Sequence, residues 1–170
     1  GRSVDSQLRT VLEEVEILYQ KSLYKPAEKR IKKALKAAGK YEKESLLLEL
    51  LDWQWRLNQK YGIEVQKKSL EKHLESHSAC LQRISIQNKL KYQFERARML
   101  IRLLPNPRKE QEKESYQHIL QHPLLQSPPE EKAVLPNIYY FLSTGLCNMA
   151  LGNTPTAYQQ LSQVIKVWEQ

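Results

Sequence analysis

The sequence predicts an all-α fold, and three observations carry that prediction. Only five glycines and eight prolines punctuate 170 residues, and they cluster in a few places. Between those clusters, apolar residues recur at three- and four-residue steps, with none of the alternation that marks a strand. The runs are bounded by proline or glycine, where helices begin and end. A hydrophobic share of 41% is too high for a disordered chain, and this length buries a core without disulfides or metal. Residues 1–170 are therefore expected to form a single domain.

Taken in order, Leu8, Val11, Leu12, Val15, Leu18 and Tyr19 predict a helix over 8–21. Tyr24-Lys25-Pro26 ends it and places proline at the start of a second helix, where a missing N–H costs nothing. Ala27, Ile31, Ala34, Leu35 and Ala38 form the inner face of that helix, and Gly39 is its expected stop. A long apolar helix follows over about 41–60, stopped by Tyr61-Gly62. The fourth, over 63–83, is expected to pack through Leu70, Leu74, Leu81 and Ile84, and the fifth runs over 85–104. Pro105-Asn106-Pro107 then supplies an N-cap and first residue for a sixth helix over 107–121, packing through Tyr116, Ile119 and Leu120. Ser127-Pro128-Pro129-Glu130-Glu131 is a cap-like start for a seventh reaching Leu151, with a kink or break expected at Pro136. Gly152 and Thr154-Pro155 divide it from a last helix ending at Trp168. The result is eight helices in four hairpins, over about 8–38, 41–83, 85–121 and 128–169.

The turns within these pairs fall near Pro26, Gly62, Pro105 and Gly152, at spacings of 36, 43 and 47 residues, the range of a helical solenoid. In the final pair, Phe141, Gly145, Leu151-Gly152, Ala157, Leu161 and Val164 follow an aromatic, small, Leu-Gly, Ala, large, small pattern. Val11, Leu18, Tyr24, Ala27, Ile31, Ala34 and Leu35 follow most of it in the first pair. In these two pairs, about 65 residues together, the chain resembles the tetratricopeptide-repeat family. The middle pairs depart from the pattern, with Lys67 and Glu71 where alanine and a large residue belong. The resemblance implies a right-handed α-α superhelix whose first helices line a concave peptide-binding groove. Leu161, Val164, Ile165 and Trp168 leave the last helix without a polar cap, and the opening Gly1-Arg2-Ser3 looks like an expression remnant. The chain is accordingly expected to be a fragment of a longer protein, open to self-association through its last helix.

Several chemistries lack their residues. His73, His77 and Cys80 share one helix face, but a fourth metal ligand is missing, and Leu74 stands where the helical zinc-protease motif needs glutamate. Cys80 and Cys147 have no activating neighbour in sequence and read as small core residues. Trp53 and Trp55 lie about 200° apart on their helix, which suits packing against two different neighbours and excludes one aromatic cage. Glycine-rich phosphate loops and nucleophile elbows are absent, so no catalytic residue, metal or cofactor is expected. No signal peptide or apolar span is legible, and two cysteines make no disulfide framework, so a cytoplasmic setting is expected.

Charge is more informative. Residues 21–43 hold nine Lys/Arg against Glu28 and Glu42, which is +7 of the chain's net +8. Lys25, Lys29, Lys32, Lys36 and Lys40, with Lys33 beside them, follow the helical period opposite the inner face. They read as a solvated outer stripe, or as a surface for an acidic partner or nucleic-acid phosphates. The first helix of each of the first three pairs carries a narrow polar stripe: Arg9, Glu13, Glu16 and Gln20; then Ser45, Glu49, Asp52, Arg56 and Gln59; then Gln87, Lys91, Glu95, Arg98 and Arg102. The resemblance places these stripes in the concave groove, and Glu16 and Glu49 argue against the family's clamp for a C-terminal carboxylate. The expected function is a non-catalytic scaffold holding a peptide or partner domain through Glu13, Glu16, Gln20, Glu49, Asp52, Arg56, Lys91, Arg98 and Arg102. The alternatives are a nucleic-acid-associated repeat using the basic stripe and a regulatory domain of a longer signalling protein.

Overall fold

The computed structural model describes residues 2–169, and the described residues form seven α-helices and no strand. The chain is all-α, and it divides into two compact units, one up to Ile84 and the other from Ser85 onward. The first unit holds α1 (Val4–Gln20), α2 (Tyr24–Lys40), α3 (Glu44–Asn58) and the first half of α4 (Ile63–Leu103). The remainder of α4, α5 (Glu110–Leu120), a 3-10 turn at Pro123–Leu125, α6 (Val134–Ala150) and α7 (Thr154–Trp168) make up the second.

Three of the interhelical connections have the same construction. After α1, the N–H groups of Lys21, Ser22 and Leu23 donate to the carbonyls of Ile17, Tyr19 and Leu18. After α2, Tyr41, Glu42 and Lys43 donate to Ala37, Gly39 and Ala38; after α6, Leu151, Gly152 and Asn153 donate to Cys147, Met149 and Asn148. Each set is a Schellman-type cap with its middle residue in the left-handed region: Ser22 at φ 59°, Glu42 at φ 52° and Gly152 at φ 83°. Each connection then feeds the next helix in the same register, through Ala27, Leu47 and Ala157, whose N–H groups bond the carbonyls of Leu23, Lys43 and Asn153. All three are buried. Only Gly152 meets the left-handed position without a side-chain clash, so Gly152→Ala is expected to lower stability by about 1 kcal/mol. Ser22→Gly is expected to raise it by a few tenths in the same thermal unfolding assay.

In the first unit α2 packs on both α1 and α3, and α1 touches α3 directly. Ala27, Ile31, Ala34 and Ala38 of α2 meet Leu8 and Val15 of α1 and Leu46, Leu47, Leu50 and Leu51 of α3 in one core. In the second unit a separate core gathers Leu90 and Ala97 of α4, Tyr116 and Ile119 of α5, Leu125, and Tyr140 and Cys147 of α6. Its buried polar groups are satisfied: the Tyr116 hydroxyl donates to the Leu104 carbonyl at 2.7 Å, and Ser143 and Thr144 donate back to Tyr139 and Tyr140.

Several expected boundaries move. The fourth and fifth helices are one helix of 41 residues, because Arg83-Ile84-Ser85-Ile86 holds neither glycine nor proline to stop propagation. Four hairpins of eight helices therefore become seven helices, and the pairs over 41–83 and 85–121 are not separate hairpins. Leu70, Leu74 and Leu81 are exposed, while the inward face of α4 in the first unit carries Gln66, Ser69, His73, Ser76 and the fully buried Cys80. Gly39 lies inside α2, whose stop is the left-handed Glu42. Asn106 does not cap α5; that helix begins three residues later than expected, where the Glu112 carboxylate accepts from the N–H groups of Arg108 and Lys109. The helix expected to start at Ser127–Glu131 begins only at Val134, so Pro136 falls in the first turn of α6, where its missing N–H has no intrahelical acceptor to lose. The preceding stretch is tied to that turn by the Asn137 amide, which donates to the carbonyls of Glu130 and Ala133.

Candidate functional site

The sequence-predicted stripes on α1 and α3 lie on neighbouring helices of the first unit. Glu13, Glu16 and Gln20 on α1 and Glu49, Asp52 and Arg56 on α3 are all exposed. Two antiparallel connections make α1 and α3 run the same way, and Tyr19 and Trp53 join them in an edge-to-face pair at 5.4 Å. Tyr24, opening α2, adds a second such contact to Tyr19 at 5.5 Å. Onto these half-buried rings fold two cations. The Arg56 guanidinium lies 4.5 Å from the Trp53 ring centre and 5.7 Å from that of Tyr19. The Lys60 ammonium lies 5.1 Å from Tyr19 and 5.3 Å from Tyr24. Among the described residues neither pairs with a carboxylate, although Glu49, Asp52, Trp53 and Arg56 together line a depression of about 270 Å3. The sequence marked Arg56 but missed Tyr19, Tyr24 and Lys60, which become one cluster only when the two turns bring α1, α2 and α3 together.

Trp55 points the other way, as its 200° separation from Trp53 requires, and stacks on His73 of α4 at 5.5 Å. His77 follows His73 at 5.4 Å and faces the Asp52 carboxylate at 3.4 Å. The Nδ1 of His73 is buried with no hydrogen-bond partner. Burial first, and the neighbouring His77 second, hold its pKa below the ordinary 6.5, with Asp52 opposing. Folding thus favours the neutral ring, so the stability this site contributes is complete above pH 6.5 and is lost as pH falls through the lower folded value. The melting temperature is expected to fall on acidification below pH 6.5, and less so in His73→Phe, which keeps the stacking on Trp55; parallel slopes in the two proteins would contradict this.

Cys80 is enclosed by Glu44, whose backbone carbonyl lies 3.2 Å from its sulfur, while Arg83 holds the Glu44 carboxylate at 2.9 Å. Burial and then Glu44 push the Cys80 thiol up to about 11, and burial pushes Cys147 up to about 12, so neither is a thiolate near neutral pH. Among the described residues no three His, Cys, Asp or Glu side chains converge as metal ligands, and no helix is long and apolar enough to cross a membrane.

In the second unit Lys91, Arg98 and Arg102 are exposed on the continuous α4, with Arg98 held by Glu95 at 2.8 Å. They do not open a new hairpin as expected. Beside them lies a feature the sequence did not reveal, a groove of about 670 Å3 between α4 and α5, lined by Met99, Leu100, Leu103 and Ile119 with Arg96, Glu114 and His118. On α7, Ile165 and Trp168 are exposed and Leu161 and Val164 are half-buried.

The basic residues of α2, namely Lys25, Lys29, Lys32, Lys33, Lys36 and Lys40, are all exposed, outside the buried face of Ala27, Ile31, Ala34 and Ala38, and Lys32 also borders a depression lined by Gln54 and Asn58 of α3. Compared with protein-family models, with curated proteins and with solved structures, the chain matches none.

Proposed function

We propose that this chain is a tetratricopeptide-like helical-repeat module, without chemistry of its own, that holds a peptide or partner domain along the face shared by α1 and α3. The observation that carries the reading is the cluster of Tyr19, Trp53, Arg56 and Lys60: half-buried aromatic rings under cations that have no carboxylate partner among the described residues. Aromatic and arginine side chains dominate binding hot spots, because they bury much area and lose little conformational freedom. Glu16, Glu49 and Asp52 add exposed charges of the opposite sign on the same two helices, and Gln20 adds a neutral amide, which suits a mixed-charge peptide. The repeat part of the reading is supported by the three congruent connections and by the small residues Ala27, Ala157 and Gly145 at close helix approaches. A displayed library of random 16-residue peptides, selected on the whole chain, tests the proposal. Enriched peptides should bind at least tenfold more weakly to Arg56→Glu and to the Glu49→Lys/Asp52→Lys pair, all exposed changes that leave the melting temperature almost unmoved. No enrichment, or ligands indifferent to both variants, would remove the site from consideration.

A further inference from the structure

We infer that the outer face of α2 is a second, independent binding surface, which takes the sugar-phosphate backbone of a nucleic acid without reading its sequence. Lys25, Lys29, Lys32, Lys36 and Lys40 succeed one another along a single face, and Lys33 flanks them. Three neighbouring charges are already engaged. Arg30 is paired with Glu14, Lys43 with Asp5 at 2.6 Å, and Glu28, the one acid within α2, accepts the Tyr61 hydroxyl. Among the described residues no carboxylate lies within 4.0 Å of any of the six lysines. Lys40 lies over the Tyr41 ring, 5.2 Å from its centre, which leaves the mutual repulsion along the stripe without a countercharge, and a linear anion would relieve it.

The shape of the surface selects among anions. From Lys25 to Lys40 the helix rises about 22 Å, the length over which one strand of a duplex presents about six phosphates. A bilayer fits poorly, because the apolar residues that would anchor α2 in lipid, Ala27, Ile31, Ala34 and Ala38, are buried against α1 and α3. An acidic protein fits poorly too, because protein interfaces centre on an apolar or aromatic patch, and the lysine face carries none between its ends. For the same reason the contact involves no base stacking, which requires aromatic rings interleaved with the cations. This surface faces away from the α1–α3 cluster, so it goes beyond the peptide-binding reading and stands or falls separately.

The test is a fluorescence anisotropy titration of the whole chain with a labelled 20-base-pair DNA duplex, an RNA duplex of the same length, labelled polyglutamate, and vesicles containing phosphatidylserine, across a salt series. Five phosphate contacts predict a slope of log K on log salt of about −4.5, which makes binding about 500-fold weaker at 200 mM than at 50 mM monovalent salt. The exposed double change Lys29→Gln/Lys36→Gln should reduce the slope to about −2.7 and that salt effect to about 40-fold, with an unchanged circular dichroism spectrum. Arg56→Glu, on the other face, should alter neither. The inference is overturned if neither duplex binds at 25 mM salt, if the double change leaves the slope as it was, or if polyglutamate or vesicles bind as tightly as the duplexes.

Discussion

Arginine in place of Ala27 is expected to remove about 3–5 kcal/mol of folding stability, a large part of what a domain of this size possesses. Ala27 is fully buried, five residues after the left-handed Ser22, in the core that α2 shares with α1 and α3. A longer side chain there separates the helices, and its charge has no partner within the apolar core of the first unit. Ala157 occupies the equivalent position after Gly152 and is 2% exposed, so Ala157→Arg should produce a loss of the same order in the second unit. Urea unfolding followed by circular dichroism reads both. Effects below about 1 kcal/mol at the two sites would mean that the congruent connections do not close tightly packed hairpins.

Gly145→Ala is expected to cost about 1–3 kcal/mol, because a Cβ at that position stands 2.6 Å from Cδ2 and 2.7 Å from Cγ of Leu161. The contact belongs to the α6–α7 hairpin, where a residue without a side chain lets Leu161 lie directly on the backbone of α6. The physical claim is one of pairwise crowding, and a double-mutant cycle isolates it. In a Leu161→Ala background the penalty for Gly145→Ala should shrink toward zero, since the crowded atoms are gone. An undiminished penalty would place its origin elsewhere, in the backbone of α6 itself.

The helical class was legible because its signal is redundant: Ala27, Ile31, Ala34 and Ala38 repeat the same statement four times, and the structure buries all of them. The opposing pair Trp53 and Trp55 was legible too, because helix geometry alone fixes their angle. Helix ends were harder. Two of the three left-handed caps are Ser22 and Glu42, residues that do not advertise that conformation, while Gly39, which does, sits inside a helix. The inner face of α4 was misread for a different reason. Leu70, Leu74 and Leu81 give the stronger apolar pattern, but the helix turns His73 and Cys80 inward, where Trp55 and Glu44 provide stacking and polar contact. The cation-aromatic cluster draws on α1, α2, α3 and Lys60, two residues past the end of α3, so no single sequence window contains it.

The three tryptophans supply the most direct test of where a partner binds. Trp53 belongs to the α1–α3 face, Trp55 is stacked on His73, and Trp168 is exposed on α7 in the other unit. Each contributes one indole N–H signal to a nitrogen–proton correlation spectrum, so a peptide selected on the whole chain can be titrated against all three at once. Binding along α1 and α3 moves the Trp53 signal progressively with peptide and leaves those of Trp55 and Trp168 in place. Movement of Trp168 or Trp55 with Trp53 unchanged would put the partner elsewhere and contradict the assignment of the α1–α3 face.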